Sequence, residues 1–219
     1  MQVHELSQNN SIANKFISQL RDVNVQKDRM RFRRNIERLG EIMSYELSQE
    51  LNYQKQSIET PLGTSEIAQP DNEVVICSIL RAGLPLHQGI LNYFDDAENS
   101  FISAYRHHPD NDENFEVLVE YMASPSLEGK TLILADPMLA TGKSFSNVLK
   151  AIAPMGKPAK IHLVSVIGSS EGIEFLKTEF PKNSKLWIAT IDNELDKNGY
   201  IVPGLGDAGD LCYGQKLQH

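Results

Sequence analysis

The chain has 219 residues, 41% of them apolar and 23% charged, with a formal net charge of -8. That length carries one substantial core, and the acidic balance argues against a nucleic-acid binder working by bulk phosphate attraction. Cys77 and Cys212 are the only cysteines and lack metal-ligand spacing, the polar first ten residues do not read as a signal peptide, and no apolar run approaches membrane-spanning length, so a reducing, cytoplasmic location is expected, with no membrane partner.

In chain order, residues 11–51 read as helical, giving an N-terminal helical segment over 1–51. Phe32, Ile36, Leu39, Met43 and Leu47 recur at three- and four-residue steps and predict one buried stripe. Lys27, Arg29, Arg31, Arg33 and Arg34 lie beside it and read as a solvated face rather than an effector site. Residues 54–67 read as a β-hairpin arm turning at Thr60-Pro61-Leu62-Gly63. Residues 74–219 then alternate. Strands are expected at 74–80, 101–105, 116–121, 131–135, 161–167 and 186–191, with helices at 84–91, 144–153 and 171–178. Apolar strands alternating with helices predict an α/β fold, a mostly parallel open sheet flanked by helices, as one domain over 1–219.

The stretch Leu132-Ile-Leu-Ala-Asp136-Pro-Met-Leu-Ala-Thr-Gly-Lys-Ser144 carries the strongest chemical signal. An apolar strand feeds Asp136 at its carboxyl end, where open α/β sheets place ligands. A small-residue loop and a helix start follow. The N–H groups of residues 140–144 would form an anion cup favoured by the helix dipole. A nucleotide-triphosphate P-loop competes for Gly142-Lys143-Ser144, but it needs a glycine where this chain has Pro137.

Two further stretches stand out. Leu80-Arg81-Ala82-Gly83 ends a strand and opens a helix; Arg81 offers a fork for two phosphate oxygens, or else a strand-end salt bridge. Tyr200-Ile-Val-Pro-Gly-Leu-Gly-Asp-Ala-Gly-Asp210 holds four bend-forming residues, so its backbone groups cannot all pair internally; it is either a surface turn or a loop that offers those groups to a planar base. Between these stretches, Tyr105-Arg106 closes a strand before His107-His108-Pro109-Asp110. Adjacent histidines in a loop rarely converge on one ion, so a lid over 107–114 is expected there and no protein metal site.

Ile-Leu-Arg-Ala-Gly, Asp-Pro-Met-Leu-Ala-Thr-Gly and Gly-Tyr-Ile-Val-Pro-Gly-Leu-Gly-Asp-Ala-Gly-Asp occur in this order, and together they resemble the uracil branch of the type I phosphoribosyltransferases. Lys143, where that branch usually has glycine, and the acidic loop after Arg106 depart from its pattern. The resemblance implies transfer of the phosphoribosyl group of phosphoribosyl pyrophosphate (PRPP) to uracil, giving UMP and pyrophosphate. It implies that Arg81 and Arg106 bind pyrophosphate and that Asp136 holds ribose hydroxyls. Pro137, Met138, Leu139, Ala140, Thr141, Gly142, Lys143 and Ser144 would wrap the 5′-phosphate. Ile201, Gly206 and Ala208 would read uracil through their main chains. Asp207 would face the ribose side of PRPP and stand with Arg81, Arg106 and Asp136 as catalytic. Mg²⁺ held mainly by PRPP, a hood over the base and a homodimer or higher oligomer are also implied. Two rivals are a nucleotide-sensing RNA-binding regulator, disfavoured by the lack of a basic-aromatic strip, and a P-loop uridine kinase.

Overall fold

The computed structural model describes residues 1–107 and 116–217, with the side chains of 104–107 and 116–120 outside the description. Its elements are β1 (Gln2–Glu5), α1 (Ile12–Arg21), α2 (Arg29–Ser48), β2 (Tyr53–Thr60), β3 (Gly63–Pro70), β4 (Val74–Leu80), α3 (Gly83–Leu91), β5 (Glu98–His107) and β6 (Glu116–Ala123). They continue as β7 (Thr131–Ala135), β8 (Met138–Leu139), α4 (Lys143–Ile152), β9 (Lys160–Ser169), α5 (Ser170–Glu179), β10 (Lys185–Asp192), β11 (Glu194–Leu195), β12 (Ile201–Val202) and α6 (Ala208–Tyr213).

The main sheet runs β1-β10-β9-β7-β4-β5-β6, with β8 pairing β9 as well. Every pairing is parallel except β5 with β6. The central strands read as unbroken apolar runs because both of their faces are covered. Ile76, Ile133 and Val164 point into one core with α1, α2 and α3, while Val75, Cys77, Leu132, Leu134 and Leu163 point into the other with α4 and α5. The α2 stripe Phe32, Ile36, Leu39, Met43 and Leu47 is buried as its spacing predicts, each such side chain contributing about 1.5–3 kcal/mol.

Three expectations need correction. The 1–51 segment is not wholly helical, because Gln2–Glu5 adds a strand to the sheet edge beside β10. Nor is the helix over 11–51 continuous. Asp22 turns the chain by accepting from Asn24 N at 2.8 Å, and Asp28 restarts it as a cap accepting from Arg31 N at 3.0 Å; aspartate favours such local bonds over helix interiors. The basic face is also not uniformly solvated. Arg33 is half-buried, donates to Cys212 O at 2.6 Å and lies over the Tyr213 ring. The hairpin sits where expected, two strands paired from Tyr53↔Pro70 to Thr60↔Gly63 and largely exposed.

One buried histidine sets an acid limit on this fold. His162 accepts from Trp187 Nε1 at 3.1 Å. Burial, then the charges of Lys185 and Lys160, push its pKa down from 6.5 to about 4. The unfolded chain therefore takes up this proton at a higher pH than the folded one. The stability contribution is complete above about pH 6.5 and is lost as pH falls toward 4. The melting temperature is expected to fall across that window, and less so in His162→Gln; identical profiles for the two would contradict this.

Candidate active site

The carboxyl ends of β4, β7 and β10 deliver three irregular segments. The first begins at Asp136, whose amide donates to Val164 O at 3.1 Å and whose Oδ1 accepts from Met138 N at 3.1 Å. Pro137 O accepts from both Val166 N and Ile167 N, and Leu139 is wholly buried. Residues 136–139 are thus strapped to β9 and hold the loop beyond them. Gly142 caps α4 with φ +75°, and a Cβ there would lie 2.9 Å from the Phe175 ring and 3.0 Å from Gly172 O. Only glycine suits both the conformation and the space. Ser169 Oγ donates to Ala140 O at 2.6 Å while accepting from Gly172 N at 2.9 Å, so the start of α5 clamps the loop.

Lys143 is the first residue of α4 rather than the residue before it. A cation at a helix N-terminus opposes the helix dipole, and local conflicts of this kind concentrate where a ligand compensates them. The first-turn N–H groups of such a helix have no intrahelical acceptor. Loop, helix start and lysine thus bring a helix N-terminus and a cationic side chain to the carboxyl end of the sheet.

The second segment carries Arg81 just past β4, at a cis Leu80–Arg81 peptide bond. Its guanidinium donates to Asp210 Oδ1 at 2.8 Å and to Gly214 O at 3.3 Å. Of the two readings of Arg81 left open by the sequence, the structure shows the salt bridge, and its partner lies in the third segment. With side-chain exposures of 41% and 30%, an ion pair like this contributes about 1 kcal/mol or less. A phosphate can displace it.

The third segment, 201–210, is held from a distance. Asp192 at the end of β10 is buried and receives both Nη atoms of Arg21 at 2.8 and 2.7 Å, plus the Gly204 amide at 2.9 Å. Burial raises its pKa, but the Arg21 and Gly204 hydrogen bonds and the Arg21 charge outweigh this and hold it below the usual carboxylate range. Arg21 also donates to Gly204 O at 3.1 Å, and Gln26 donates to Leu205 O at 3.1 Å. Gly204 has φ +61°, and a Cβ on it would sit 2.1 Å from Ile201 O. Asp207 caps α6, accepting from Asp210 N at 2.9 Å. Ile201, Leu205 and Ala208 turn their side chains into the core, and Gly206 has φ +91°.

Sequence reasoning missed Arg21, Asp192 and Asp210. An aspartate ending an apolar strand was the available signal for Asp192, the same one that marks Asp136. Arg106 lies in β5 opposite Val117, with its side chain outside the described residues, as is most of the 107–114 loop. Among the described residues no group of three or more His, Cys, Asp or Glu could hold a metal, and no helix is long and apolar enough to cross a membrane.

A mostly parallel open α/β sheet flanked by helices, with a strand-end aspartate before a clamped loop and an arginine turn and a glycine-rich loop alongside, has the type I phosphoribosyltransferase fold. The model of the family described as uracil phosphoribosyltransferase matches residues 7–215, and the chain belongs to that family. It is 50% identical to the uracil phosphoribosyltransferase of Porphyromonas gingivalis over 217 residues, covering 99% of this chain and 100% of that one. The corresponding protein of Methanococcus vannielii is 39% identical over 205 residues, 92% of this chain and 86% of that one. The solved structure of the AQ2163 protein from Aquifex aeolicus superposes with a TM-score of 0.86 at 28% identity, covering 99% of this chain and 100% of that one.

Proposed function

We propose that this protein transfers the 5-phosphoribosyl group of PRPP to N1 of uracil, giving UMP and pyrophosphate in cytoplasmic pyrimidine salvage. The observation that carries the reading is the Arg81–Asp210 contact, which joins the turn assigned to pyrophosphate to the segment assigned to the base. The family match across both segments gives that contact its chemical meaning.

In this reading the anion loop 140–144 holds the 5′-phosphate, Asp136 holds the ribose hydroxyls, and Arg81 exchanges Asp210 for the pyrophosphate. Arg106 is assigned to the same leaving group. Uracil N1 attacks C1′ as the bond to pyrophosphate breaks, and positive charge develops on the ribose ring. The chain's work is positioning and absorption of the leaving charge. In this reading Mg²⁺ is held mainly by the phosphates of PRPP, and the chain supplies no metal site of its own. Bound there, Mg²⁺ would neutralise charge on the departing pyrophosphate. One domain over 1–219 and a homodimer or higher homo-oligomer, with the exposed hairpin as its arm, complete the proposal.

Purified protein supplied with Mg²⁺ and PRPP, and in turn with uracil, cytosine, hypoxanthine or orotate, tests it: UMP formation from uracil alone is expected. Lys143 gives a finer test. As a point charge at the anion loop, it should strengthen PRPP binding, so Lys143→Gly is expected to weaken PRPP affinity severalfold and flatten its salt dependence. An unchanged salt slope in titrations would make the lysine a bystander.

A further inference from the structure

Ser78, His87 and Asn99 form a polar chain in the interior that the transfer reaction does not use. Ser78 is wholly buried on β4, three positions before Arg81, and His87 is 4% exposed on α3. The ring's Nδ1 lies 2.8 Å from Ser78 Oγ, and its Nε2 lies 2.8 Å from Asn99 Oδ1 on β5. Asn99 spends its amide nitrogen on Ala97 O at 3.1 Å, which turns its oxygen toward the ring. Nε2 therefore carries the proton, and Nδ1 accepts from the Ser78 hydroxyl. The Phe101 ring lies against the imidazole with centroids 4.6 Å apart. Burial lowers the His87 pKa, only partly opposed by the Asn99 bond, so the ring is neutral.

The placement of this chain gives it a role beyond packing. The Ser78–His87 bond spans the turn that carries Arg81 and ties the end of β4 to the second turn of α3. In the sheet Ser78 pairs with Phe101 on one side and with Ala135, the residue before Asp136, on the other. A Cβ on Gly83 would lie 3.4 Å from Ser78 Cβ and 3.5 Å from Ala135 O, so the start of α3 rests on both strand ends. Apolar side chains could fill this space without directional demands. A fully paired polar chain instead fixes one arrangement of the elements it joins.

We propose that His87 is a positioning residue: by bonding Ser78 across the turn, it sets the Arg81 loop against the Asp136 strand end in the geometry that holds the pyrophosphate of PRPP. The proposal rests on reading residues 81–83 as the pyrophosphate turn.

The test is steady-state kinetics, with PRPP and uracil varied separately, on Ser78→Ala, His87→Phe and Ile90→Val, each with its melting temperature. Ser78→Ala deletes one hydrogen bond. His87→Phe keeps a ring against Phe101 and deletes both bonds. Ile90→Val lightens the core contact of α3 without touching the polar chain. The KM for PRPP is expected to rise about tenfold in Ser78→Ala and further in His87→Phe, well within the cost of misplacing a binding group. The KM for uracil should stay within about twofold, and Ile90→Val should leave the ratio of the two unchanged. A PRPP KM that does not move, or two KM values rising in parallel as they do in Ile90→Val, overturns the positioning role. Should His87→Phe not fold, Ser78→Ala gives the same readout alone. Wild-type protein that does not consume PRPP overturns the functional reading and this proposal together; normal wild-type turnover with unaltered variants overturns the positioning role only.

Discussion

Cytosine is expected to be used with a kcat/KM about 10⁴-fold below that of uracil, the discrimination that hydrogen-bonding sites achieve. Uracil presents acceptor, donor and acceptor along O2, N3–H and O4. Cytosine reverses the last two, so a backbone matched to uracil meets two mismatches, each costing about 1–3 kcal/mol when buried. 5-Fluorouracil keeps the uracil edge and should be a substrate. Main-chain readers cannot be deleted one at a time. The side chains of the proposed readers are also poor handles, because Ile201 and Ala208 are 5% and 2% exposed and a large residue there would disturb packing first. The substrate must therefore carry the test. Comparable turnover of cytosine, or a preference for hypoxanthine, would overturn the assignment even if PRPP were consumed.

Asp136→Asn is expected to cut kcat/KM for PRPP by about 10²-fold or more, the scale of losing one charged positioning contact. The structure makes this substitution clean. Asp136 Oδ1 accepts from Met138 N at 3.1 Å, and an asparagine oxygen can take the same bond, so the loop keeps its support while the charge is removed. The melting temperature should stay within a few degrees of wild type. Unchanged PRPP kinetics in the folded variant would refute the ribose role.

The sheet was legible because its strands are buried on both faces and read as continuous apolar runs between bend-forming residues. The α2 stripe and the hairpin turn followed from periodicity and from the proline–glycine spacing. β1 was not legible: four residues of mixed polarity carry no pattern, and only the edge of β10 makes Gln2–Glu5 a strand. The break at residues 22–28 was written in Asp22 and Asp28, and the apolar stripe, which starts only at Phe32, does not bear on it. In the candidate site, the loops were visible as motifs while their supports were not. Arg21 reaches Asp192, and Arg81 reaches Asp210, across separations of 171 and 129 positions; no local pattern records contacts of that range. Ser78 and His87 looked like ordinary members of an apolar strand and helix until the fold placed them face to face.

The Arg21 contact also has a consequence for how the molecule is made. Arg21 and Gly204 stand 183 positions apart, so a helix synthesised early supplies the mould for a loop synthesised much later. The hydrogen bonds that strap and clamp the 136–144 loop, by contrast, join residues within 136–172. A chain that frays at α1 is therefore expected to lose the shape of the 201–210 loop before that of the 136–144 loop. If the proposed site roles hold, truncations or fusions that pull α1 away from β10 are expected to raise the KM for uracil more than the KM for PRPP, which kinetics with each substrate varied separately would show.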